Sequence, residues 1–151
     1  MTLRIIRTTL LVALLLGIVG SGAELLLLEH TEDIWQYVPL ILSGAALTVL
    51  VWGIAAPSTA AFQSFRILML LFVLSGAAGV FLHVKGNIEF ELEMYPDLTG
   101  LKLYWEALSG ATPALAPGTM TLLGLIGWVY SGLNSILQQP DPERATDINL
   151  E

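Results

Sequence analysis

Four stretches of the chain are almost purely apolar, Thr8–Leu28, Trp35–Ala56, Phe65–Leu82 and Pro117–Leu137, and polar segments separate them. They contain 21, 22, 18 and 21 residues. A helix rises about 1.5 Å per residue, so even the shortest stretch reaches roughly 27 Å, close to the hydrocarbon thickness of a bilayer. The pattern predicts an all-α integral membrane protein, an antiparallel four-helix transmembrane bundle within residues 1–137. Asp33 with Gln36 three residues later reads as a capping pair at the start of the second helix. Thr112-Pro113 and Ala116-Pro117 mark starts for the last one.

Between the third and fourth spans, residues 84–112 form a small extracytoplasmic cap. Ile88, Phe90, Leu92 and Met94 alternate there with Glu89, Glu91 and Glu93, which is the period of a strand with one apolar face. Tyr95-Pro96-Asp97 marks a turn. After it, residues 99–109 fold either as a second strand or as a short helix stopped by Gly110, and the helix is preferred. Leu101, Tyr104, Trp105 and Leu108 would then share one face, and tyrosine and tryptophan suit a membrane interface. Residues 138–151 hold Pro140, Pro142 and mixed charges without apolar periodicity, so they read as a flexible tail.

Composition supports the membrane reading: 55% of the residues are hydrophobic and 13% charged. Arg4 and Arg7 ahead of an apolar run, with Ser21-Gly22-Ala23 after it, also fit a cleaved signal peptide. The apolar run resumes at Leu25–Leu28, which favours a retained first span. With four spans, Arg4, Arg7, Arg66 and Arg144 lie on one side, and Lys85 and Lys102 on the other. The basic excess predicts cytoplasmic termini in a bacterial-type plasma membrane. Nine of the 13 acids then face outward. A net charge of −7 argues against nucleic acid as a partner, because phosphate binding needs a basic face. Absence of cysteine excludes disulfide exchange, thiol nucleophiles and thiolate-held metals.

In lipid, helices associate where small residues let backbones approach. Such residues occur in every span: Gly17, Gly20 and Ser21; Ser43, Gly44 and Ala46; Ser75, Gly76 and Gly79; Gly124, Gly127, Ser131 and Ser135. Extended toward the outer surface, these stripes meet Glu24, Gln36, His83 and Met120, each four or seven residues from a small residue. The four residues form a candidate interhelical polar site. Glu24 lies about one turn inside the apolar boundary, where a carboxylate needs a partner, and His83 is the candidate. Such a pair serves as a register-setting hydrogen bond, a proton acceptor, a quinone or headgroup contact, or part of a metal site.

Glu24, Glu29, His30 and His83 supply carboxylate and imidazole ligands of the kind that divalent metals use. Neither Glu-x-x-His nor His-x-x-x-His occurs, however, and those spacings place two ligands on one helical face. His30 and His83 also admit a bis-histidine haem, but a cation at a helix C-terminus accounts for both without one. No cofactor is therefore the preferred expectation. On a strand, Glu89, Glu91 and Glu93 would be about 6.7 Å apart, too wide to chelate one ion. They read as a solvated face, or as a docking surface for a basic partner.

No phosphate-cradling loop, dinucleotide fingerprint or nucleophile elbow is present. Transport is also weakly indicated, since no inverted repeat or charged path is visible. Besides the lipid bilayer, the expected partners are other membrane-protein subunits or further copies of the chain. The preferred function is a non-catalytic accessory or assembly subunit of a larger membrane complex. A small redox or metal-binding membrane protein with an outer Glu/His site is the first alternative. A small proton-coupled transporter or channel is the second.

Overall fold

The computed structural model describes residues 2–29, 33–110 and 112–138, with side chains as far as Leu133. Among these residues every regular element is an α-helix: α1 (Thr2–Leu27), α2 (Ile34–Ala55), α3 (Thr59–Met94), α4 (Gly100–Leu108) and α5 (Gly118–Gln138). Helices α1, α2 and α3 are each long and apolar enough to cross a membrane, and α5 is apolar over Gly118–Leu133. By length and composition the chain is a helical membrane protein. The tail beyond Gln138 and His30, Thr31 and Glu32 lie outside the described residues.

Local chemistry sets the helix ends. Asp33 precedes α2 in an extended conformation, and its N–H donates to Gln36 Oε1 at 3.2 Å, as the capping-pair spacing predicts. Ser58 Oγ accepts from Ala61 N–H at 3.2 Å and begins α3 six residues before the apolar run at Phe65. α1 ends in a tight turn, with Glu29 just beyond it in the left-handed region at φ 50°.

The expectation of a strand over Ile88–Met94 is corrected: these residues are the last turns of α3. No proline interrupts the chain between Ser58 and Tyr95. Lys85 and Glu89 pair at 3.5 Å one turn apart, in the spacing that supports a helix. The buried and half-buried positions there are Val80, His83, Val84, Asn87, Ile88 and Glu91, a helical repeat, while Phe90, Leu92 and Met94 are exposed. Residues 99–109 are helical as preferred, in α4.

α3 is the central element, packing against α5, α2 and α4, while α1 lies against α5 and α2. Leu14, Ile18, Ala46, Leu50, Phe65, Met69, Phe72, Met120 and Leu123 form one core cluster. α3 and α5 approach most closely. A methyl group on Gly124 would lie 2.6 Å from Met69 O and 2.9 Å from Val73 N, so only glycine permits this separation. Thr121 Oγ1 donates across the same seam to Val73 O at 3.3 Å.

The small-residue stripes divide unequally. Gly17, Gly76, Gly79, Gly124 and Gly127 are close-contact positions, whereas Gly20 and Gly44 face open space. Ser43, Ala46 and Ser131 are buried, and the Ser135 side chain lies outside the description. On α1 the buried face is marked by Leu14 and Ile18. At about 100° per residue, Gly20 lies roughly 140° and Glu24 roughly 100° around the helix from that face. The expectation that Gly20 and Glu24 continue the contact face is therefore corrected.

Candidate functional site

α5 begins level with Val80 of α3, since a methyl on Gly118 would lie 3.9 Å from Val80 and one on Gly79 would lie 2.6 Å from Pro117. α3 runs on to Met94, about 20 Å further at 1.5 Å per residue. This projecting end of α3 carries α4, and Asn87 holds the two together.

Asn87 is 3% exposed, and its amide is fully engaged. Nδ2 donates to Ala107 O at 2.7 Å and to Thr112 O at 2.8 Å. Oδ1 accepts from Thr112 N–H at 3.3 Å and from Thr112 Oγ1–H at 2.5 Å. One side chain thus ties the last turn of α4, and the segment returning to α5, onto α3. The Ala107 carbonyl belongs to the orphan acceptors at a helix C-terminus, which need a partner when buried. Small neighbours make room: Ala107 and Ala114 are buried, and a methyl on Gly110 would lie 3.3 Å from Asn87 Cγ. Sequence reading missed this residue. Its only signal was a lone asparagine among apolar positions at helical spacing, and strand alternation hid that spacing.

With Ala107 turned inward, and Leu103 and Glu106 half-buried beside it, the other face of α4 points away from the chain. Leu101 is 89% exposed and Trp105 69%, and Tyr104 and Leu108 are exposed beside them. Phe90, Leu92 and Met94 are also exposed on α3, Phe90 and Met94 one turn apart on one side and Leu92 on the other. Burial of such surface is worth about 25 cal/mol per Å², so a face of this kind favours contact with another apolar surface or with lipid.

Glu24, Gln36, His83 and Met120 lie on α1, α2, α3 and α5 respectively. Glu24 is exposed on α1, and no hydrogen bond or ion pair engages its side chain among the described residues. Gln36 caps its own helix, and Met120 is a buried core residue beside Leu123. His83 is half-buried on α3, four residues before Asn87. Glu29 follows α1, and His30 lies outside the described residues. Among the described residues no group of three or more histidines and acids is placed to hold a metal ion. Helical geometry also divides the glutamate row: Glu89 and Glu93 are exposed, and Glu91 is half-buried toward the Asn87 side.

The arrangement is a buried amide holding an exposed apolar helix face in place. No protein-family model matches the chain, and no curated protein or solved structure matches it either.

Proposed function

We propose that the protein is a non-catalytic accessory or assembly subunit of a larger membrane complex, docking through the outward face of α4 and the adjoining end of α3. In this reading α5 is the fourth span of an antiparallel four-helix bundle, the termini are cytoplasmic, and the α3–α4 projection is extracytoplasmic. The observation that carries the proposal is the exposed apolar stripe of α4, held in place by a buried asparagine. Ordering a helix costs conformational entropy, and a pre-ordered docking face avoids that cost at the moment of binding. Trp105 is the natural anchor, since tryptophan is enriched among residues that dominate interfaces. Glu89 and Glu93 flank the apolar surface and favour a partner with basic residues at its rim.

Native mass spectrometry of protein extracted gently from its own membrane tests this. A stable hetero-complex is expected, and Trp105→Ala with Leu101→Glu should abolish it while leaving helicity and thermal stability near wild type. A protein recovered alone or only with its own copies, or a hetero-complex indifferent to both substitutions, would overturn the proposal.

A further inference from the structure

The opposite end of the bundle holds an arginine in an apolar setting. Arg66 lies seven residues into α3, about 10 Å along the axis from Thr59, between Phe65 and Ile67. It is half-buried. Its guanidinium carbon sits 4.5 Å from the ring centroid of Trp128 on α5 and 5.7 Å from that of Phe62, one turn earlier on α3. Among the described residues no carboxylate pairs with it, and no hydrogen bond engages its guanidinium.

Two aromatic rings attract the cation but do not neutralise it. A cation–π contact is worth about 0.5–2 kcal/mol, whereas an unpaired charge within an apolar span costs more. Ring contact uses none of the guanidinium N–H groups, so its fork remains available for an acceptor. The fork matches the oxygens of a phosphate in a bidentate geometry. Direction agrees with this: helical side chains lean toward the helix N-terminus, and Arg66 leans onto Phe62, toward the end where α3 begins. A lipid phosphate lies just beyond the hydrocarbon at such an end. Arg4 near the start of α1 lies at the same end, since α1, α2 and α3 are joined consecutively by short connections, and it adds attraction for anions.

We infer that Arg66, framed by Trp128 and Phe62, is a binding site for a phosphate group, either the headgroup of an anionic phospholipid or a free phosphate. The test uses the full chain in nanodiscs of phosphatidylcholine with and without phosphatidylglycerol, followed by native mass spectrometry of retained lipid. Wild type should retain phosphatidylglycerol in preference to phosphatidylcholine. Arg66→Gln should weaken that preference by about tenfold, the effect of losing one charge-assisted bidentate contact. Arg66→Lys keeps the charge without the planar fork and should give an intermediate loss, which keeps the test decisive where the glutamine variant misfolds. Inorganic phosphate added to phosphatidylcholine discs distinguishes the sources: an Arg66-dependent rise in melting temperature identifies free phosphate, and no rise alongside retained phosphatidylglycerol identifies the lipid. Wild type with neither lipid preference nor phosphate response, or variants that match wild type, would overturn the site.

Discussion

Asn87 is the residue on which the projecting part of the molecule depends. Removing its amide leaves the Ala107 and Thr112 carbonyls without their donors in a place where water does not readily replace it. Asn87→Ala is therefore expected to cost about 2–3 kcal/mol, concentrated in α4 and the segment around Thr112. Hydrogen exchange followed by mass spectrometry checks this: amides of residues 103–110 should exchange faster, with α1 and α2 unchanged. A uniform change across the chain, or none, would show that the amide lock does not hold α4. Arg66 illustrates the reverse case. Its position was plain in the sequence as an arginine near an apolar run, but its two aromatic neighbours were not, because Trp128 comes from a helix sixty-two residues away.

At the level of elements, a strand period and a helical period compete in the reading of the end of α3. Ile88, Phe90, Leu92 and Met94 alternate with glutamates, yet the segment continues a helix already nucleated in the apolar span. Extending an existing helix adds one hydrogen bond per residue fixed, whereas a new two-stranded hairpin is marginal in water. Glutamate and lysine are also good helix formers. Helix pairing shows a similar division between pattern and contact. Every span carries small residues, but which of them meet a neighbour depends on the rotation of each helix. Gly124→Ala would drive a methyl against the α3 backbone and should cost about 1–3 kcal/mol. Gly20→Ala meets nothing within 4 Å and should be neutral or stabilising by up to about 1 kcal/mol, through lower entropy of the unfolded chain. Thermal unfolding of both variants in the same detergent decides it, and equal effects would contradict the packing of α3 on α5.

For the whole molecule, the distribution of bases predicts a topology that can be read directly, because the chain contains no cysteine. Single substitutions Ala56→Cys and Ser109→Cys place thiols on exposed positions beyond α2 and α4. In intact cells a membrane-impermeant maleimide should label Ser109→Cys, and Ala56→Cys only after permeabilisation. The opposite order would reverse the orientation, and labelling of both in intact cells would contradict an odd number of crossings between them. The two ends of the molecule differ in chemistry, and the two proposals rest on that difference. The Thr59 end carries Arg66 between Phe62 and Trp128, while the far end presents an exposed apolar helix near Glu89 and Glu93.

Composition and local periodicity were enough to determine that the chain is helical and membrane-embedded, because burial in lipid acts on each segment separately and leaves long apolar runs. They located both ends of α2 and α5 and the end of α1 to within one residue, predicted the Gln36 cap, and supported helix over strand for α4, since these depend on residues within a few positions of one another. Tertiary structure alone decided which faces meet. It turned Glu24 outward, put Met120 in the core and made Asn87 the anchor of α4. Each of these outcomes is set by the mutual rotation of packed helices and by partners far apart in sequence, such as Asn87 and Thr112. A side chain's chemistry there is defined by a neighbour that no local pattern names.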